Sequence, residues 1–155
     1  MADFGAGTGA YTVEIAKRVD NGKVYAVDIN QELLKNVSND AQKNGLSNVE
    51  VLWGDIEAPG GSKLADGAVG LVVLSNVLFQ TDNKEGVVAE TKRVLKPGGL
   101  ALVVEWGDSF GGLGPAPKDV LKKETVSKLF LNNGFALYNE IDAGEYHYGL
   151  LFRKF

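Results

Sequence analysis

Three short stretches carry residue types suited to holding a ligand. Gly5-Ala6-Gly7-Thr8-Gly9 sets three glycines at alternate positions between a strand-like and a helix-like run. Glycine there allows a tight turn and close backbone approach to a bound molecule. The N-terminus of the following helix offers free N–H groups and the positive end of its dipole, which suit a carboxylate or phosphate. Gly5, Gly7 and Ala10 also satisfy the dinucleotide spacing G-x-G-x-x-G/A. Asp28 closes the next strand-like run, where a carboxylate can accept both hydroxyls of a ribose. Asp55, in Trp53-Gly54-Asp55-Ile56, closes the third. Its carboxylate can accept an adenine amino group while the Ile56 N–H serves a ring nitrogen. Singly, each stretch reads equally well as a turn or a loop cap. Together they put ligand-suited residues at three strand ends of one sheet, where the ligands of open α/β sheets collect.

The elements that must position these residues follow from hydrophobic periodicity. Strands are expected over residues 1–4, 23–28, 49–53, 69–74, 100–106, 135–141 and 146–152. Thr12, Ile15, Ala16 and Val19 recur at helical spacing, as do Leu34, Val37 and Ala41 behind an Asn30 cap and before Gly45. Asp82 and Glu85 have capping-box spacing ahead of a stripe of Val87, Val88, Thr91, Val94 and Leu95, which Pro97-Gly98-Gly99 ends. Val126, Leu129, Phe130 and Asn133 mark a last helix. Residues 57–67 and 107–117 are rich in Gly and Pro and read as loops, the second a natural lid or substrate loop. Strands alternating with helices imply a doubly wound, mostly parallel α/β sheet with helices on both faces. The closing hairpin around Asp142-Ala143-Gly144-Glu145 adds an antiparallel strand. The first strand is nearly without length, so a segment ahead of it is expected in longer relatives.

At 155 residues the chain is expected to form one domain, residues 1–155, with its own core. A net charge of −4 disfavours a nucleic-acid backbone as the main partner. There is no cysteine and only one histidine, which removes disulfides, thiolate chemistry and a His-rich metal site, so no metal is expected. The apolar runs are too short to span a bilayer, and no basic-then-apolar leader is visible, which points to a cytoplasmic protein without a membrane partner.

Asp3-Phe4-Gly5-Ala6-Gly7-Thr8-Gly9 resembles the first motif of class I S-adenosylmethionine-dependent methyltransferases. Asp28, Gly54-Asp55-Ile56 and Leu95-Lys96-Pro97-Gly98-Gly99 are similar to that family's later motifs, and the likeness covers nearly the whole chain. The resemblance implies a seven-stranded sheet with one antiparallel strand, and S-adenosylmethionine as cofactor. It implies that Asp3 and the backbone of Gly5, Ala6, Gly7, Thr8 and Gly9 hold the amino-acid end. Asp28 would hold the ribose, Ile29 would lie against the adenine, and Gly54, Asp55 and Ile56 would read the adenine edge. Ser75 and Asn76 would line the methyl side. The helices that usually precede the glycine strand in this family and cover the substrate are absent from the sequence.

A sulfonium is a good leaving group, so the protein mainly has to align acceptor, methyl carbon and sulfur. A base is needed only for a protonated, weakly acidic acceptor, and the candidates are Glu105, Asp108 and His147. A lone His between Tyr146 and Tyr148 reads first as a hydrogen-bonded structural residue. Trp53, Trp106 and Phe79 read first as core, with Trp106 and Phe79 able to wall a pocket. The Asn/Asp-Pro-Pro-aromatic motif that binds an exocyclic amine is replaced by Ser75-Asn76-Val77-Leu78, which leaves a small-molecule acceptor. Two other readings stand beside methyl transfer: an NAD(P)-dependent oxidoreductase, from Gly5-x-Gly7-x-x-Ala10 and Asp28, and a non-catalytic cofactor-binding module.

Overall fold

Seven strands and four helices alternate along the chain, and the computed structural model describes Met1–Phe155. The strands are β1 (Ala2–Phe4), β2 (Val24–Asp28), β3 (Val49–Trp53), β4 (Val69–Ser75), β5 (Leu95–Trp106), β6 (Phe135–Asp142) and β7 (His147–Lys154). They form one sheet in the order β3-β2-β1-β4-β5-β7-β6. Pairing is parallel from β3 through β5, and β7 lies antiparallel to both β5 and β6. The expected sheet, with its single reversed strand, is therefore present. The chain order reverses between β1 and β4, the switch point at which such sheets bind ligands. β1 has only three residues, yet it is central and fully buried, paired to β2 on one side and β4 on the other.

The helices are α1 (Ala10–Ala16), α2 (Gln31–Lys43), α3 (Lys84–Val94) and α4 (Lys123–Asn132). Successive strand residues face opposite sides of the sheet. Ala26 packs with Leu34 and Val37 of α2 on one side. Val27, Leu74, Val103 and Phe152 pack with Val87 of α3 and Phe130 of α4 on the other. Asn30 caps α2 as the sequence leads one to expect, its side-chain oxygen accepting from Glu32 and Leu33 N–H at 3.0 and 3.1 Å. α1 stops at Ala16, so Val19 lies beyond it.

Two local expectations need correction. α3 is capped by Asn83, whose side chain accepts from Gly86 N–H at 3.0 Å, and not by an Asp82–Glu85 box; Glu85 instead accepts from the Asn133 amide at 2.7 Å. Leu95 leaves the helical stripe with φ −74° and ψ 137° and pairs with Val69. β5 therefore begins before Pro97-Gly98-Gly99, which bulge out of the ladder between the Leu95–Val69 and Leu100–Leu71 pairs.

The connection from β3 to β4 has no helix. Buried Glu90 of α3 holds it instead, accepting from Gly60 N–H, Ser62 N–H and the Ser62 hydroxyl. Arg93 closes the network on Glu90, Asp66 and the Leu64 carbonyl. Burial alone would raise the Glu90 carboxyl, but these donors outweigh it and hold the group at about 2.

Candidate functional site

The three sequence stretches meet at the carboxyl edge of β1, β2 and β3, around a cavity of about 330 Å³. Gly5 and Gly7 line it from the first turn, Asp28 and Ile29 from the end of β2, and Gly54, Asp55 and Ile56 from the end of β3. Asp3, Ala6, Thr8, Gly9, Ser75 and Asn76 do not line this cavity. Val77, Gln80 and Thr81, which follow β4, do line it, and sequence reasoning missed them. Their only signal is position: they follow a strand end next to the switch point.

The glycines of the loop do different work. Gly5 and Ala6 N–H both donate to the Val27 carbonyl, at 2.8 and 3.1 Å, which folds the loop over β2. A Cβ on Gly5 would lie 2.6 Å from a Val77 methyl, and one on Gly9 would strike Val37, so both glycines are required by protein packing. Gly7 is different. Its φ is +56°, and a Cβ there would meet nothing nearer than the Gly5 carbonyl at 3.9 Å. Gly7 is also one of the residues that line the cavity. Gly54 is required by a close backbone crossing, because a side chain there would collide with the Gly61 carbonyl.

Asp28 is pre-set by the backbone. Its Oδ2 accepts from Gly7 N–H and its Oδ1 from Asn30 N–H, both at 2.9 Å. An ionised carboxylate has about four lone-pair sites, so each oxygen keeps one for a ligand hydroxyl. Asp55 Oδ1 accepts from Glu57 N–H at 2.9 Å, while the Ile56 N–H beside it donates to no protein acceptor. Asp3 lies behind the loop, 2% exposed, with Oδ2 accepting from the Thr12 hydroxyl at 2.7 Å. Burial raises its carboxyl to about 6; the Thr12 hydrogen bond opposes the rise and the nearby Asp28 charge adds to it.

At the end of β4, Ser75 Oγ and Asn76 Oδ1 are buried without a hydrogen-bond partner. Asn76 also has φ +56°, a left-handed conformation that Asn tolerates better than most residues.

The base candidates separate. Glu105 is only 1% exposed, on the sheet face that carries Ala101 and Val103. Its Oε1 accepts from Val77 and Leu78 N–H at 3.1 and 2.7 Å, so it is turned inward and not toward an acceptor at the sheet edge. Asp108 is exposed, its Oδ1 accepting from Ser109 N–H. His147 lacks the expected hydrogen bond: Nε2 is buried without a partner and the ring lies 4.3 Å from Trp106, centroid to centroid. Desolvation lowers its pKa. Trp106, Phe110 and Tyr146 continue this aromatic row. Trp53 is not core; it is 62% exposed, with Nε1 donating to the Ile29 carbonyl.

A larger concavity, about 920 Å³, lies at the opposite end of the sheet near Asp66, Pro97 and Gly134. Of its three cations, Arg93 is committed to Glu90 and Asp66 and Lys154 to the Lys92 and Leu95 carbonyls, while the Lys92 ammonium makes no ion pair. No group of three or more His, Cys, Asp or Glu side chains is arranged to hold a metal ion, and no helix is long and apolar enough to cross a membrane.

Comparison with known proteins adds a family likeness. A methyltransferase domain family matches residues 2–103. A ubiquinone/menaquinone biosynthesis C-methyltransferase from Hydrogenovibrio crunogenus is 36% identical over 109 residues, 68% of this chain and 41% of that protein. A malonyl-[acyl-carrier protein] O-methyltransferase from Ilyobacter polytropus is 30% identical over 134 residues, 85% of this chain and 49% of that protein. The chain thus spans less than half the length of these two curated relatives. The crystal structure of a SAM-dependent methyltransferase from Aquifex aeolicus superposes with a TM-score of 0.88 at 27% identity, covering 98% of this chain and 80% of the other.

Proposed function

Because this chain belongs to the class I S-adenosylmethionine-dependent methyltransferases, we propose that the cavity at its strand ends takes that cofactor and that its methyl group passes to a small-molecule acceptor. The observation that carries this reading is the open space over Gly7, flanked by the Asp28 carboxylate and the unclaimed Ile56 N–H. Asp28 takes the ribose hydroxyls on its two remaining lone pairs, and Ile29 offers an apolar surface to the adenine. Gly54, Asp55 and Ile56 present an acceptor and a donor to the adenine edge. Within the loop, Gly5 and Gly7 bring backbone to the cavity on the side of the amino-acid end, with Asp3, Ala6, Thr8 and Gly9 set back from it.

Bound, S-adenosylmethionine supplies an electrophilic methyl carbon on a good leaving group. What the protein adds is alignment, which is worth up to about 7–11 kcal/mol of a barrier when reacting atoms are held in line. No side chain is assigned as a base. The curated relatives are named for carbon, oxygen and arsenite methylation, and the residues at the end of β4, Ser75-Asn76-Val77-Leu78, lack the proline pair suited to an exocyclic amine. A small-molecule acceptor other than an exocyclic amine therefore fits best.

Calorimetry with S-adenosylhomocysteine and with NAD tests the cofactor, and labelled methyl donor with a metabolite pool tests the transfer. Binding of S-adenosylhomocysteine alone, followed by label in a small molecule, is the expected result. Binding of NAD alone overturns the cofactor reading. Cofactor binding with no label transferred leaves a binding module and overturns the enzymatic half.

A further inference from the structure

Glu105 is a buried carboxylate that methyl transfer itself does not call upon, and its surroundings give it a different task. It sits on the apolar side of β5, in register with Tyr148 of β7. One oxygen, Oε1, takes both the Val77 and Leu78 N–H groups, while Oε2 has no partner. These two amides open the single 3-10 turn Leu78–Gln80 that follows β4. Without Glu105 they would be buried donors without acceptors, a costly arrangement.

The buried side chains of Val77 and Leu78 anchor the turn in the core, but the rest of the protein gives its backbone few hydrogen bonds. It begins from the left-handed Asn76, whose N–H donates to the Val104 carbonyl at 2.8 Å. It closes on its own atoms, with the Gln80 amide donating to the Asn76 carbonyl and the Thr81 hydroxyl to the Leu78 carbonyl. Its outer side is functional surface: Val77, Gln80 and Thr81 line the cavity, and a Val77 methyl fills the place that a Gly5 side chain would need. A chain of direct contacts therefore runs from Glu105 through Val77 to the glycine loop.

We propose that Glu105 is a positioning residue for the cofactor cavity: by accepting from Val77 and Leu78 it fixes the turn after β4, and through Val77 it fixes the glycine loop. This rests on the reading of the cavity as the cofactor site. Glu105 exchanges no proton with substrate; an acceptor oxygen at the Oε1 position is what the turn requires.

Two substitutions separate this role from simple stability. Glu105→Gln keeps a carbonyl oxygen at the Oε1 position. Glu105→Leu removes both acceptors but fills the apolar site, which keeps the core packed. Hydrogen exchange on the ligand-free protein should show the Val77 and Leu78 amides exchanging at least about tenfold faster in Glu105→Leu, with the α4 amides unchanged. The dissociation constant for S-adenosylhomocysteine should rise about tenfold in the same variant, and Glu105→Gln should restore both values to within about twofold of the parent. Unchanged exchange at Val77 and Leu78 in Glu105→Leu overturns the proposal, as does unchanged affinity. Loss of methyl transfer in Glu105→Gln with exchange and affinity intact overturns it in favour of proton transfer. If the parent protein binds no S-adenosylhomocysteine, the cofactor reading fails by itself, and the exchange data still decide whether Glu105 holds the turn.

Discussion

At the scale of single residues, Gly7 and Asp28 carry the sharpest expectations. Gly7→Ala adds one methyl that touches no protein atom, so its structural cost comes only from the left-handed φ, about 1 kcal/mol. The methyl occupies cavity space, so affinity for S-adenosylhomocysteine should fall by more than stability does. Calorimetry and thermal melting on the same variant check this, and a protein that melts early yet binds normally would remove Gly7 from the site. Asp28→Ala should weaken the same ligand by about 1.5–3 kcal/mol, the usual worth of charge-assisted hydrogen bonds. It should also lower stability, because Asp28 holds the Gly7 and Asn30 amides. Unchanged affinity would take Asp28 out of ribose binding. The glycine loop and the carboxylates at the ends of β2 and β3 were legible in the sequence, because glycine spacing and strand-end acids are local patterns. The inward turn of Glu105 was not. A carboxylate one residue before a strand end can face either side of the sheet, and only the position of the Val77 and Leu78 amides decides which.

Among the elements, α3 offers a direct check on how its start is built. Asn83→Ala should destabilise the protein by about 1 kcal/mol, the typical cost of losing a cap, while Asp82→Ala should leave the denaturant midpoint close to that of the parent. The reverse result would restore the Asp82–Glu85 box. Most element positions followed from apolar spacing, since each strand and helix buries a periodic face; the Leu34, Val37 and Ala41 stripe of α2 is one example. The junction between α3 and β5 did not follow. Leu95 suits the helical stripe and the strand equally well, and its partner Val69 lies far away in sequence. The connection from β3 to β4 was visible as a loop, but its anchor was not: Glu90 stands on the buried side of α3 among Val87, Val88 and Val94, where helical periodicity alone argues for an apolar residue.

For the whole molecule, three buried acids set the response to pH. Asp3 at about 6 and Glu105 at about 7 are both raised in the folded state. For Glu105 the cause is burial, which outweighs the opposing N–H groups of Leu78, Val77 and Phe79 and the charge of Lys84. A raised carboxyl stabilises the fold fully below its unfolded pKa, and that stabilisation is lost as pH rises through the folded value. Each of the two contributes on the order of 3 kcal/mol that disappears between about pH 4 and 7. Glu90, held at about 2, acts in the opposite sense: its contribution is present above about pH 4.5 and lost as pH falls toward 2. Stability should therefore peak near pH 4 and decline through pH 5 toward pH 7.5, and Glu105→Gln should flatten that decline. Denaturant midpoints at pH 5, 6 and 7.5 measure it; a parent protein most stable at pH 7.5 would contradict the assignment. The order of the sheet has a consequence for assembly during synthesis. β6 is made before β7, but its only place in the sheet is beyond β7. Until residue 154 has left the ribosome, the long edge of β5 stays unpaired and β6 has nothing to dock on. The hairpin must then enter as a pair. Loss of His147–Lys154 would cost two strands where it deletes one, and would leave β5 as an open template for pairing with other chains.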